Sequence, residues 1–179
     1  MLFRSRLPVT ISERLLVGLR LEPGIYVVIK GQLRSYNRYV NNSNKLVLTV
    51  FARDISIPKE ELDEMLKKPN EIYLDGYICK SPIYRTTPFG REITDLLVAV
   101  NRPYNKSDYI PTIAWGRNAR FCEKLLIGDH IKIWGRIQSR EYQKRLSNEE
   151  VESKTAYEVS ISKLEYIEND NNRLEKVKS

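Results

Sequence analysis

The chain has 179 residues, 41% of them hydrophobic, so it can bury a core and is not a disordered tail. Its formal net charge of +7 points to a polyanionic partner, because Lys and Arg gain free energy by displacing the counterions condensed on phosphate chains. No apolar run nears the roughly 20 residues that cross a bilayer, residues 1–6 are no secretory leader, and Cys79, Cys122 and the single His130 have no zinc-site spacing. A cytoplasmic protein is expected, with no membrane, no cofactor and no small-molecule substrate.

In chain order, residues 1–57 hold three runs rich in β-branched residues, around Val9, over 24–35 and over 46–50. Residues 58–69 begin and end on Pro, carry Glu60 and Glu61 early and Lys67 and Lys68 late, and set Leu62, Met65 and Leu66 on one stripe. That pattern predicts a short helical linker. Residues 70–168 read as five strands, at 72–79, 93–102, 109–115, 130–142 and 155–167. A tight connection over 86–90, with Gly90 at positive φ, joins the first two. A helix over 117–126, ended by a left-handed Gly128, lies between the third and fourth. The polar residues 169–179 are expected to form a flexible tail.

The front of the chain repeats the second half of this pattern. Leu7-Pro8 recurs as Ile110-Pro111, and Gly24 and Gly31 recur as Gly128 and Gly135, seven apart both times. An internal repeat decides the architecture before any single motif does. It predicts an all-β chain with one complete barrel over 70–168, preceded by a partial copy over 1–57 that supplies only the third strand, the helix and the last two strands. Half a barrel leaves strand edges unpaired. A fragment of a longer protein is therefore expected, in preference to closure by another subunit.

A period of two along the fourth strand puts Ile131, Ile133, Gly135 and Ile137 on the core side and Lys132, Trp134, Arg136, Gln138, Arg140 and Tyr142 on the other. Cations and rings interleave there, as a single-stranded nucleic acid requires: the charges follow phosphates and the rings stack on unpaired bases for about 1 to 3 kcal/mol each. An ordinary solvated strand face is the competing explanation. The third strand divides into Tyr109, Pro111, Ile113 and Trp115 against Ile110, Thr112 and Ala114. A small barrel buries one side, so the other is an aromatic surface needing a partner, either nucleic acid or a second subunit. Tyr104, Tyr84 and Phe89 in nearby loops could extend it, and Arg102 and Arg117 flank the same strand.

Taken in order, Asp75-Gly76-Tyr77-Ile78, the stretch from Ser81 to Gly90, Leu97 to Tyr104, Trp115-Gly116, Gly135 to Tyr142 and Tyr157-Glu158-Val159 resemble the bacterial single-stranded DNA-binding protein family, SSB. The resemblance covers essentially all of residues 70–168. It implies an OB fold, a five-stranded Greek-key barrel, and binding of single-stranded DNA without sequence specificity. It also implies a homo-oligomer in which about four OB folds act together, here a dimer of tandem chains. The family's stacking positions fall on Tyr104, Tyr109, Trp115 and Tyr142. In the partial copy Arg6, Ser12 and Arg38 stand at the last three, so its stacking surface is lost. Nine basic against three acidic residues over 1–57 still leave it at +6. An assembly and backbone-contact module is expected there, with Tyr36 and Tyr39 as substitute rings.

Catalysis is disfavoured. Asp75, Asp95, Asp108 and Asp129 are scattered over different strand ends, no nucleophile stands beside a base, and no Gly-rich loop cradles a phosphate. His130 reads as a surface or edge residue. The serious alternative is an OB-fold interaction module in a replication or mobile-element complex, with weak or no DNA binding.

Overall fold

The computed structural model describes residues 6–40, 43–58, 69–145 and 151–168, with side chains left out at 40, 43, 142–145 and 151–154. The expected linker helix over 58–69 and the tail over 169–179 lie almost wholly outside the described residues. The chain divides into two compact units, residues 1–70 and 71–179.

In the first unit β1 (Val9–Thr10), a single 3-10 turn (Glu13–Leu16), β2 (Val28–Val40) and β3 (Ser43–Ser56) make one sheet in the order β1-β3-β2. β1 runs parallel to β3, with Val9 opposite Val50 and Thr10 opposite Phe51. β2 and β3 form an antiparallel hairpin, interrupted where Lys30 faces Asp54 and Gly31 faces Ala52. Arg53 is the extra residue of that bulge. Leu48 and Ala52 are the buried hydrophobic residues here, whereas Val17 and Tyr26 stay exposed. Within this unit the described strands form a single three-stranded sheet, and one sheet by itself keeps little apolar area from water.

The second unit contains β4 (Ile72–Ile78), β5 (Ile83–Thr86), β6 (Glu92–Arg102), β7 (Lys106–Trp115), helix α1 (Arg117–Cys122), β8 (His130–Arg145) and β9 (Val151–Ile167). Their order is β4-β8-β9-β7-β6-β5, and a further β4–β6 pairing closes the circle. β7 and β9 meet in parallel, Thr112 opposite Val159 and Ile113 opposite Ser160, while the other neighbours are antiparallel. This is the closed OB barrel, with β5 as a hairpin arm on β6. Its interior holds Leu74, Ile78, Leu96, Val98, Ile110, Ile131, Ile133, Val159 and Ile161. α1 plugs one end, where buried Thr94 donates its hydroxyl to the Ala119 carbonyl at 2.8 Å.

β8 and β9 carry the same bulge as β2 and β3: Trp134 faces Lys163, Gly135 faces Ile161, and Ser162 is the extra residue. The glycines explain why it recurs. A Cβ on Gly135 would lie 2.3 Å from the Ser160 carbonyl oxygen, and one on Gly31 would lie 2.3 Å from that of Phe51. Only glycine lets the strands cross this closely.

Two sequence expectations are corrected. The helix over 117–126 stops at Cys122, because Lys124 and Leu125 bond back three residues to Phe121 and Cys122 and the following turn is tied to β4, Gly128 donating to Ile78 at 2.8 Å. Gly128 does adopt φ +94°, and Gly90 φ +73°. The segment between the first two strands is more than a loop, since β5 pairs with Glu92 to Asp95. Pro82 and Pro88 at its borders hid so short a strand.

Candidate nucleic-acid interface

The outward positions of β7 carry the rings that alternation assigned to them. Tyr109 is 44% exposed and Trp115 36% exposed, while Ile110, Thr112 and Ala114 fill the core. Ile113 departs from the pattern, buried although it shares the outward side. Its register partner Ser160 accepts the Trp115 indole N–H at 3.2 Å, which lays the ring beside Ile113. Trp115 therefore lies against the barrel wall with one side open to solvent.

The surface extends across β9 to β8. Arg136 stands exposed opposite Ser160. Two positions further, Gln138 and Arg140 both donate to Glu158, at 2.9 Å and 3.1 Å. Glu158 is buried, so Arg140 supplies half of a partly sheltered ion pair as well as a cation at the surface. Alternation along the chain assigns no binding role to Glu158 or Ser160. The signal was there in a carboxylate and a hydroxyl on alternate positions of a strand otherwise rich in Val and Ile. Tyr142 lies on β8 with its backbone opposite Lys154, and its side chain is outside the described residues.

At the tip of the β6–β7 hairpin Tyr104 is 92% exposed. It adopts φ +63° and Asn105 φ +54°. A bulky side chain in the left-handed region costs about 1–2 kcal/mol, so a tight turn holds this ring out in water against local preference. Behind it Arg102 pairs with Asp108 at 2.8 Å, the carboxylate almost fully buried and the guanidinium mostly so. Arg102 thus anchors the hairpin through the buried Asp108 while its own side chain stays partly exposed. Arg117 opens α1 exposed, two residues after Trp115.

Trp134 belongs to a different cluster, turned toward β4. Its ring centroid lies 5.1 Å from that of Tyr73, and Lys163 Nζ sits 4.4 Å from its centre. Lys132, the next outward position, faces Asp75. His130 is held here rather than free at an edge: Nε2 lies 2.6 Å from Asp75 Oδ1 and the ring stacks on Tyr77 at 4.6 Å. The hydrogen bond from His130 holds the Asp75 carboxyl below its ordinary value, with burial opposing and the nearby charges of His130 and Lys132 assisting. Of the ten residues picked from sequence, Trp115, Arg136 and Arg140 gather around Ser160 and Glu158, Tyr109 and Tyr104 follow along β7 and its hairpin, and Trp134 and Lys132 lie with β4.

The four aspartates considered for catalysis serve separate partners. Asp95 binds Arg85 at 2.9 Å, Asp129 accepts from the Leu126 amide at 2.8 Å, and Asp75 and Asp108 hold His130 and Arg102. Burial pushes the Cys122 thiol up to about 12, which makes it a core side chain and no nucleophile. The arrangement can stack flat rings and attract anions.

Residues 69–167 match the model of the single-strand binding protein family. Single-stranded DNA-binding protein 1 of Staphylococcus aureus is 30% identical over 109 residues, 57% of this chain and 63% of that protein. Single-stranded DNA-binding protein B of Bacillus subtilis is 30% identical over 84 residues, 41% of this chain and 72% of that protein. The alignment thus spans less than two thirds of the Staphylococcus relative. Among solved structures, a deletion variant of the single-stranded DNA-binding protein from Thermus aquaticus superposes with a TM-score of 0.67 at 22% identity, over 90% of this chain and 71% of that one. The fold is shared, and with more than half of its residues matched the chain belongs to the single-strand binding protein family.

Proposed function

We propose that this protein binds single-stranded DNA without sequence specificity, protecting it in replication, recombination or repair. Unpaired bases stack on Trp115, Tyr109 and Tyr104, with Tyr142 at the far arm of the β8–β9 hairpin, while Arg136, Arg140 and Arg117 follow the phosphates. Rings without hydrogen-bonding edges aimed at a base read every base alike, so the binding is sequence-tolerant. The single observation that carries this reading is the half-open Trp115 indole, fixed by Ser160 beside exposed Arg136. A residue needed only for packing would have no call for an exposed face flanked by a cation.

The first unit is read as a partial second copy of the same barrel. Support comes from the shared parallel pairing and the shared glycine bulge. A homo-oligomer that brings several such barrels to one strand fits the family; the proposed dimer would be visible as twice the chain mass in light scattering.

Titration with oligo(dT) tests the function. Trp134→Phe leaves Trp115 as the reporter, and its fluorescence should be quenched with a stoichiometry independent of base composition. Trp115→Ala should weaken binding by about 1 to 3 kcal/mol and leave the barrel folded. No quenching at low salt would favour the interaction-module reading, and retained affinity with a dissociated oligomer would make Trp115 an interface residue.

A further inference from the structure

We propose that the outward face of β2 and β3 in the first unit is a second nucleic-acid contact, where Arg34 and Arg53, gathered on Phe51, bind phosphodiester groups of a single strand. The inference shares its ligand class with the function above but rests on a different surface.

The register of the two units shows what has changed. Two residues beyond Ile113, opposite Ser160, stands Trp115; two residues beyond Thr10, opposite Phe51, stands Ser12. Ring and hydroxyl have exchanged strands. Tyr36, expected as a substitute ring, lies between Arg34 and Arg38 on this same strand face and is half exposed, and Phe51 adds a ring on the neighbouring strand.

Around Phe51 the side chains are set for anions. The Arg34 guanidinium carbon lies 3.9 Å from the ring centre and that of Arg53 5.0 Å. Both donate to Gln32 Oε1, Arg34 at 2.9 Å and Arg53 at 3.5 Å. Arg53 is the extra residue of the β3 bulge, and bulges re-aim side chains. In the second unit Ser162 fills that place and donates its hydroxyl to the Trp134 carbonyl at 2.9 Å, closing the bulge on itself. The first unit uses it to bring a second cation onto the ring.

A phosphate oxygen received by both guanidiniums, which already meet at Gln32 and Phe51, is attracted by two positive charges at once. A guanidinium lying on an aromatic face keeps its N–H edge directed outward, in the planar fork that suits phosphate oxygens. The same strand face also carries Lys30, Arg38 and Lys45, with Asp54 opposite Lys30. Among the described residues, five cations against one carboxylate make a strip fitted to a polyanion. In the second unit the residues at the Arg34 and Thr49 positions are Gln138 and the buried Glu158, which bind each other. The two copies thus divide the work: rings dominate in one and charge in the other.

The test uses the full chain. In salt titrations of oligo(dT) binding, Arg34→Gln with Arg53→Gln should lower the slope of log affinity against log salt by about 1.4, two phosphates at about 0.7 each. Arg34→Lys with Arg53→Lys should keep the slope, whereas Trp115→Ala should lower affinity with the slope unchanged. Independently, arginine modification by 4-hydroxyphenylglyoxal, mapped by mass spectrometry on the unmutated protein, should show Arg34 and Arg53 protected when oligo(dT) is added. An unchanged slope together with unprotected arginines overturns the proposal and leaves the barrel function standing. Protection without any Trp115 quenching would do the reverse.

Discussion

The first and second units share a hydrogen-bonding plan and differ in what closes around it. Each has a parallel two-residue contact, a long antiparallel hairpin and a glycine at an interstrand bulge. In the second unit β4 and β6 complete the circle and the interior loses water altogether; in the first, Leu48 and Ala52 are buried but Val9, Leu21, Ile25 and Val27 remain exposed. Pairing register is thus written locally, by the glycine and the alternation of side chains. Core burial is a property of the closed barrel, because it takes strands from both sides to cover one apolar face.

The largest effect expected from a single substitution lies at the ion pair that ties the β6–β7 hairpin of the second unit. Arg102→Ala removes the cation paired with the buried Asp108 carboxylate, and breaking a buried ion pair costs about 3 kcal/mol. Hydrogen exchange should then quicken throughout β6 and β7 and leave β2 and β3 as they were. Equal loss in both units would mean that they fold as one, and the contrast drawn above would fail. A change in DNA salt slope with no loss of stability would return Arg102 to the binding surface.

Next in size is the bulge itself. Gly135→Ala forces a Cβ against the Ser160 carbonyl and should cost about 1–3 kcal/mol, the usual range for overpacking. Gly31→Ala meets the same obstruction from Phe51, but an open sheet can splay where a closed barrel cannot, so its cost should be smaller. Thermal unfolding of both variants, followed unit by unit, measures the difference. Matching costs would show the first unit held as firmly as the second.

How far the sequence could be read follows from the same distinction. The five barrel strands, the left-handed Gly90 and Gly128 and the outward rings of β7 were legible, because alternation and glycine act at short range. The early end of α1 at Cys122 was not, since it depends on where the turn meets Ile78 across the barrel. The Arg102–Asp108 pair was not legible either, because nothing in the neighbours of Arg102 announces that Asp108, six residues on and across a hairpin, is buried. Phe51 was not legible for a related reason: the repeat places the ring of this surface on the strand that carries Trp115, whereas Phe51 stands on the strand beside it.

The smallest effect belongs to the cluster around Asp75, which has no counterpart among the described residues of the first unit. Asp75 is held below its ordinary carboxylate range by His130, so its contribution to stability is complete above the unfolded carboxylate value near 4 and is lost as pH falls through the lower folded value. Asp75→Asn removes that contribution, and variant and parent should therefore differ at pH 6 and converge in strong acid. The side chain is 44% exposed, so solvent screening keeps the difference to about 1 kcal/mol or less. Urea unfolding at stepped pH resolves it, and the fluorescence of Trp115 and Trp134, the two tryptophans of the chain, reports on the second unit alone. Should the two curves stay parallel from pH 6 down to strong acid, the Asp75–His130 contact contributes nothing through ionisation, and the β4 face would be held by the Tyr73–Trp134 and Tyr77–His130 ring contacts instead.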